Sequence, residues 1–199
     1  CALPIFLLLS TVSLAGEGEW VEKTKTPTPR RSTAAAAVDG KIYVVGGASG
    51  AWTALRTTEA YDPETDTWEK KADMPTARFR LSACAFDGKI YAIGGIDELT
   101  KTVLSVVEEY DPATDTWMDK ADMPTPRYFL STSVVNGRIY AIGGNLANGS
   151  ASSAVEEYDP ATDTWREIAD IPTARTTLSS SAVNGKFYVI GGHAAWPNT

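Results

Sequence analysis

The chain has 199 residues, of which 43% are hydrophobic and 22% are charged. This hydrophobic content is sufficient for a buried core and excludes a disordered polar chain. The formal net charge of −7 argues against a nucleic-acid-binding protein, because such proteins usually carry a basic patch and the recurring arginines here are spread evenly along the chain.

The first fifteen residues resemble a secretory signal. Residues 2–9 form an unbroken apolar run, and small residues follow at Ser13-Leu14-Ala15. The run is too short to span a bilayer comfortably, whereas a short apolar run before small residues is typical of a signal core and cleavage site. We therefore predict a signal-like segment at 1–15, truncated at its N-terminus, and a secreted, periplasmic or extracellular protein without a further membrane span. The alternative is an ordinary apolar N-terminal tail.

One unit of 48–49 residues then repeats through the rest of the chain. Tryptophans mark its register at positions 20, 68, 117 and 165, and Gly-Gly pairs begin at positions 46, 94, 143 and 191. A fixed period of this size predicts units that bury their apolar faces by stacking on one another. The units cover about 30–73, 78–122, 127–171 and a partial 175–192, within a repeat region spanning 16–199.

The second unit shows the predicted order of elements. A short strand at 81–86 leads through the hairpin signal Asp87-Gly88 into a strand at 89–93, which ends at Gly94-Gly95. A third strand around 106–110 precedes the turn 111–116, and Trp117 opens a fourth strand. A helix at 103–110 is disfavoured because its counterparts contain Thr and Ser clusters. Each unit is thus predicted to be four antiparallel strands, in an all-β chain.

The succession of Pro-x-x-Arg, Asn/Asp-Gly-Lys/Arg-Ile/Phe-Tyr, Gly-Gly, Glu-x-Tyr-Asp-Pro, Thr-Asp-Thr and Trp resembles the kelch repeat over Trp20 to about Gly192. The resemblance implies a β-propeller with three complete four-stranded blades and a partial fourth. Because kelch propellers commonly have about six blades, we interpret the chain as an open arc and an N-terminal fragment of a larger propeller. The strand around 20–25 would be an outer strand that closes the last blade.

Few residues point to catalysis or metal binding. His193 is the only histidine in the sequence, and the metal ligands of the copper-dependent oxidases of this fold have no matching positions. We therefore predict no catalytic, cofactor-binding or metal-binding residue and no cofactor. His193 is expected to be an exposed loop residue without a role, and Cys84 a small buried residue.

Recurring charged residues invite two interpretations. The aspartates of the third turn could bind calcium or cap the turn, and capping is favoured because these turns contain Pro where calcium loops have Gly. Glu59, Glu108 and Glu156 recur on the third strand, and an arginine recurs at the start of each unit. We predict that these glutamates and arginines pair and tie strands or adjacent blades together.

Candidate ligand-binding residues lie where the units differ. The loops 48–56, 96–102 and 145–152 diverge, and so does the position two residues after the recurring arginine, which reads Ser32, Arg80, Phe129 and Thr177. In kelch propellers the loops between the second and third strands (B–C) and those leading from the fourth strand into the first strand of the next blade (D–A) line one face, around the mouth of the central channel. By this resemblance the best candidates are Arg80 and Phe129, followed by Trp52, Asp97, Glu98 and Asn145.

Three functions are compatible with the sequence. The favoured one is a non-catalytic binding module that recognises a protein or a glycan, with no nucleic-acid partner. The resemblance also allows part of a kelch-fold enzyme, such as a sialic-acid epimerase or a carbohydrate oxidase, whose active site lies outside this fragment. The third is a structural spacer, which predicts a variable face without a concave pocket.

Overall fold

The computed structural model describes residues 12–15, 19–97 and 99–194. All regular secondary structure in this part of the chain is β-strand. No helix among the described residues is long and apolar enough to cross a membrane. The strands, in chain order, are β1 (Val12–Ala15), β2 (Glu19–Glu22), β3 (Ala34–Val38), β4 (Lys41–Val45), β5 (Ala48–Ser49), β6 (Thr53–Ala54), β7 (Thr58–Asp62), β8 (Thr67–Lys71), β9 (Ser82–Phe86), β10 (Lys89–Ile93), β11 (Ile96–Asp97), β12 (Thr102–Val103), β13 (Val107–Asp111), β14 (Thr116–Lys120), β15 (Ser131–Val135), β16 (Arg138–Ile142), β17 (Val155–Asp159), β18 (Thr164–Glu167), β19 (Thr176–Val183) and β20 (Lys186–His193).

The strands form three complete blades and part of a fourth, as the repeat predicts. Each complete blade is an antiparallel four-stranded sheet, with the orders β3-β4-β7-β8, β9-β10-β13-β14 and β15-β16-β17-β18. The fourth blade contains β19 and β20. The strand at Trp20 is β2, and it pairs with β1 inside the N-terminal segment.

Local sequence fixes the register within each blade. Asp87 and Gly88 both have positive φ, 51° and 72°, as a type I′ hairpin turn requires. In the outer hairpin, Tyr110 lies opposite Trp117, and their ring centroids are 5.1 Å apart. The same Tyr–Trp pairing occurs in the first and third blades, so the tryptophan period reports the position of the outermost strand.

The core lies between successive blades. The inner strand of each blade contacts the inner strand of the next, in the order β3, β9, β15 and β19. Aromatic residues span these interfaces: Tyr43 contacts Tyr110 with centroids 5.7 Å apart, and Tyr91 contacts Tyr158 at 6.0 Å. Cys84 is buried in one of these clusters, as predicted, and burial raises the pKa of its thiol to about 12.

The Gly-Gly pairs allow the next blade to approach closely. Gly94 has φ of +62°, and a Cβ at this position would lie 2.5 Å from the carbonyl oxygen of Arg127 in the following blade. Gly191, in the partial blade, has a similar φ of +68° but would have no neighbour within 4 Å. The small residue is therefore required for the contact between blades as well as for the backbone angle.

The predicted Arg–Glu pairs are confirmed, and they lie within single blades. Nitrogen–oxygen distances are 2.9 Å for Arg30–Glu59, 2.9 Å for Arg78–Glu108 and 2.7 Å for Arg127–Glu156. All of these side chains are buried. For Arg78, burial lowers the pKa to about 10 despite the nearby carboxylate, and burial likewise raises the pKa of Glu108. Desolvation therefore outweighs the mutual attraction of this pair.

The aspartates of the third turn have two separate roles. The first aspartate caps the turn, as predicted; the Asp111 side chain accepts a 2.9 Å bond from the Ala113 backbone amide. The second connects two blades: Asp115 accepts a 2.8 Å bond from the Ala72 backbone amide, and the Trp117 indole donates to the Ala72 carbonyl at 2.9 Å. Equivalent bonds join Asp66 and Trp68 to Thr24, and Asp163 and Trp165 to Ala121. We call this pair of bonds the blade latch.

Candidate functional site

Four residues at one end of the inner strands form a continuous rim. Ser32, Arg80, Phe129 and Thr177 all have positive φ, between 52° and 56°. The backbone N–H groups of the last three donate to the carbonyl of the rim residue in the preceding blade: Arg80 to Ser32 at 2.9 Å, Phe129 to Arg80 at 2.8 Å and Thr177 to Phe129 at 3.1 Å. With the residues that follow them, these four line a pocket of about 220 Å³.

The Arg80 side chain is surrounded by aromatic rings. Its guanidinium carbon lies 4.7 Å from the ring centroid of Phe129, 5.0 Å from those of Phe79 and Trp52, and 5.7 Å from that of Tyr128. We call Arg80 and these four rings the aromatic cage. Contacts between a cation and aromatic faces are worth about 0.5–2 kcal/mol each, so the cage holds the guanidinium in place at the rim.

The cage provides no counter-charge for Arg80. Within the part of the chain that the structure describes, no carboxylate lies within 4 Å of its guanidinium, and its buried Nε has no hydrogen-bond partner. Aromatic faces attract a cation but accept no full hydrogen bond from its N–H groups. Arg80 is therefore a fixed cation with unused donors, suited to an anion that approaches from the pocket.

Trp52 connects the first blade to the cage. It lies in the turn between β5 and β6 with φ of 72°, and its side chain is 38% exposed. Its ring contacts Phe79, with centroids 5.6 Å apart, and the guanidinium of Arg31 lies 3.9 Å from its centroid. The indole thus contacts two cations and still presents an apolar surface beside the rim.

The structure brings together three of the six predicted contact residues: Arg80, Phe129 and Trp52. Asn145 is fully buried, so its side chain does not form part of the exposed face. Asp97 caps its own loop by accepting bonds from the Leu99 amide at 3.0 Å and the Thr100 hydroxyl at 3.1 Å. Glu98 lies outside the described residues.

The expectation of an exposed His193 is wrong. His193 ends β20, is half-buried, and its Nδ1 lies 3.0 Å from the Thr177 hydroxyl. Because Thr177 is a rim residue, the histidine supports the polar side of the rim. The Gly-Gly pair predicts the start of a loop, but in this blade the strand continues through Gly191 and Gly192.

Sequence reasoning did not identify three residues of this face: Arg31, Phe79 and Tyr128. Each directly follows the recurring arginine of its repeat, and this position also varies between repeats. The variability of this position between repeats is the signal in the sequence that points to these three residues. A cavity of about 540 Å³ lies elsewhere, along the outer side of β20, lined by Ile171, Arg175, Phe187 and Val189 among others.

The chemistry available at the rim is that of binding. Arg80 supplies positive charge, the cage supplies apolar area, and Ser32 and Thr177 supply hydroxyl groups. The described residues contain no group of three His, Cys, Asp or Glu side chains arranged to hold a metal ion.

Comparison with known proteins agrees with this architecture. The Kelch motif matches residues 29–75, and the KLHDC2/KLHL20/DRC7 Kelch-repeats domain matches residues 71–198. The chain is similar to the structure of YjhT, with a TM-score of 0.78 and 20% sequence identity, over 89% of this chain and 64% of that one. At this identity the likeness shows the fold alone. Comparison with curated proteins gave no match.

A family domain that matches well over half of the chain, a 48–49-residue repeat and three four-stranded blades all agree. The chain belongs to the kelch-repeat family of β-propeller proteins.

Proposed function

We propose that this chain is a non-catalytic binding module that recognises a protein ligand at the rim, through an acidic side chain that pairs with Arg80. The observation that carries the proposal is the unpaired guanidinium held inside the aromatic cage. Aromatic residues and arginines clustered around a pocket are the usual energetic anchors of protein interfaces.

Electrostatics support an acidic group on the ligand. The chain as a whole has a net charge of −7, which repels acidic partners in general. The rim is a local exception, because the guanidinium groups of both Arg31 and Arg80 lie within 5.0 Å of the Trp52 ring centroid. A carboxylate at Arg80 would gain charge-assisted hydrogen bonds in a partly desolvated site, worth about 1.5–3 kcal/mol.

The competing functions have less support from the described contacts. An epimerase needs an acid and a base that converge on the substrate, whereas the Asp97 carboxylate is engaged in its own loop. A spacer requires no pocket, whereas the rim surrounds about 220 Å³ with polar and aromatic residues. A glycan remains the alternative ligand, since sugar rings also stack on exposed indoles such as Trp52.

The test is a random-peptide display selection against the immobilised full chain, run beside a glycan array. We expect the selected peptides to be enriched in Asp or Glu. Their affinity should fall about 10-fold or more in Arg80→Met, which keeps most of the apolar contact and removes the charge. The control is Lys186→Met, because Lys186 is an exposed cation on β20 that does not contact the rim.

Four outcomes would contradict the proposal. Peptides without acidic residues, or full affinity in Arg80→Met, would remove the role of the guanidinium. Binding to glycans alone would favour the carbohydrate ligand. A properly folded chain that binds neither library would favour the spacer.

A further inference from the structure

A repeated contact joins neighbouring blades behind the rim. One partner is the residue that follows the Gly-Gly pair of a blade. The other is the residue that follows the recurring arginine of the next blade. At the first junction, Ala48 and Phe79 belong to one buried apolar cluster. Ile96 continues this cluster at the second junction, where Tyr128 packs against it. Both junctions are therefore filled by apolar side chains and an aromatic ring.

The third junction is polar. The same two repeat positions are occupied by Asn145 and Thr176, and both residues have 0% exposure. Among the described residues, neither the Asn145 amide nitrogen, nor its amide oxygen, nor the Thr176 hydroxyl has a hydrogen-bond partner. The backbone N–H and C=O of Asn145 are both hydrogen-bonded to Tyr128, so the polar atoms that lack partners are those of the side chains.

Three buried polar atoms without hydrogen-bond partners would destabilise the folded chain. Each unsatisfied group has this effect, and the large majority of buried polar side-chain atoms in proteins have a partner, either protein or ordered water. An Asn amide both donates and accepts, and so does a Thr hydroxyl. A partner for these atoms must therefore both donate and accept hydrogen bonds. It must also be small, since Thr176 stands where the other two junctions have an aromatic ring.

We propose that Asn145 and Thr176 form a binding site for a single ordered water molecule between the third and fourth blades. Buried waters make about three hydrogen bonds to polar groups that otherwise lack partners, and these two side chains supply three such atoms. The site lies directly behind the rim, because Thr176 precedes Thr177 and the Asn145 backbone pairs with Tyr128 of the cage. The water connects the two blades where the other junctions use apolar contact.

The first test detects the water by NMR in the full chain. Cross-relaxation between water and the backbone amides of Asn145 and Thr176 should show a long-lived water molecule. The double variant Asn145→Leu with Thr176→Val keeps the approximate shape of both side chains and removes all three polar atoms, so the signal should disappear. The control Thr58→Val removes a buried hydroxyl in the first blade and should leave the signal unchanged.

Thermal melting gives a second, independent readout. If water satisfies Asn145 and Thr176, the double variant should melt within about 3 °C of the parent chain. The variant loses the hydrogen bonds to the water, but it also no longer has to remove these polar atoms from solvent on folding, and the two effects offset each other. A clear rise in melting temperature would show that the polar atoms were unpaired, and would overturn the proposal. So would the lack of a long-lived water signal in the parent chain, or its persistence in the double variant.

Discussion

The buried arginine of the third blade should be essential for stability. Arg127 has 0% side-chain exposure and donates to the carbonyls of Gly143 and Ala154 at 2.8 Å, to that of Ala141 at 3.3 Å and to Glu156 at 2.7 Å. Arg127→Ala leaves the Glu156 carboxylate buried without its counter-ion, a change that typically costs 3–5 kcal/mol. For a chain of this size, this loss lowers the melting temperature by about 10 °C.

The fourth repeat supplies the matched control. Arg175 occupies the same repeat position but is partly exposed and donates one bond, to the Gly191 carbonyl at 2.8 Å. Arg175→Ala should therefore cost about 1 kcal/mol. Both variants are compared with the parent chain by thermal melting followed by circular dichroism, together with urea unfolding. Equal effects of the two substitutions, or an unchanged melting temperature for Arg127→Ala, would refute the role assigned to the buried pair.

Three further predictions concern other contacts. Thr58→Val should stabilise the chain by about 1 kcal/mol in urea unfolding, because the second and third blades carry Val at this position and the buried Thr58 hydroxyl is the only buried side-chain polar atom of β7 without a partner, so that it offers a water a single contact; a loss of stability would show that this hydroxyl is satisfied. Gly94→Ala should destabilise more than Gly191→Ala, by about 1–3 kcal/mol, since both have positive φ but only Gly94 faces a backbone oxygen; equal losses would remove the contact between blades as the cause. Hydrogen bonds from the Ala72 amide and then from Tyr110 lower the pKa of Asp115, so this latch stabilises the chain above about pH 4 and its contribution is lost as the pH falls through the lowered pKa; the difference in melting temperature between the parent chain and Asp115→Asn should shrink from pH 6 to pH 2.5, and a constant difference would contradict this.

Much of the fold could be predicted because each repeat carries its own turn signals. Asn-Gly and Asp-Gly fixed the inner hairpins, and the strict register of Glu and Arg predicted their pairing. The blade latch was not predictable in the same way. Asp115 looked like a turn-capping residue, because the sequence shows that it belongs to a turn but does not show that the neighbouring blade's backbone lies within reach.

The candidate site was predicted less completely for a related reason. The alignment of repeats identified Arg80 and Phe129 at one variable position. It could not show that Asn145 is fully buried, because loop length alone does not decide whether a residue faces solvent or the interior. Phe79 and Tyr128 form the cage with Arg80 because two consecutive blades place them side by side, which is a property of the assembled arc.

The left-handed backbone of the rim has a consequence for how such a surface can diversify. Serine, arginine, phenylalanine and threonine all occupy the same conformation there, because hydrogen bonds between neighbouring main chains define it. Side-chain identity at these positions is therefore largely uncoupled from the geometry of the scaffold. Substitutions could change the recognised partner while leaving the architecture intact, so selection for new specificity need not disturb folding.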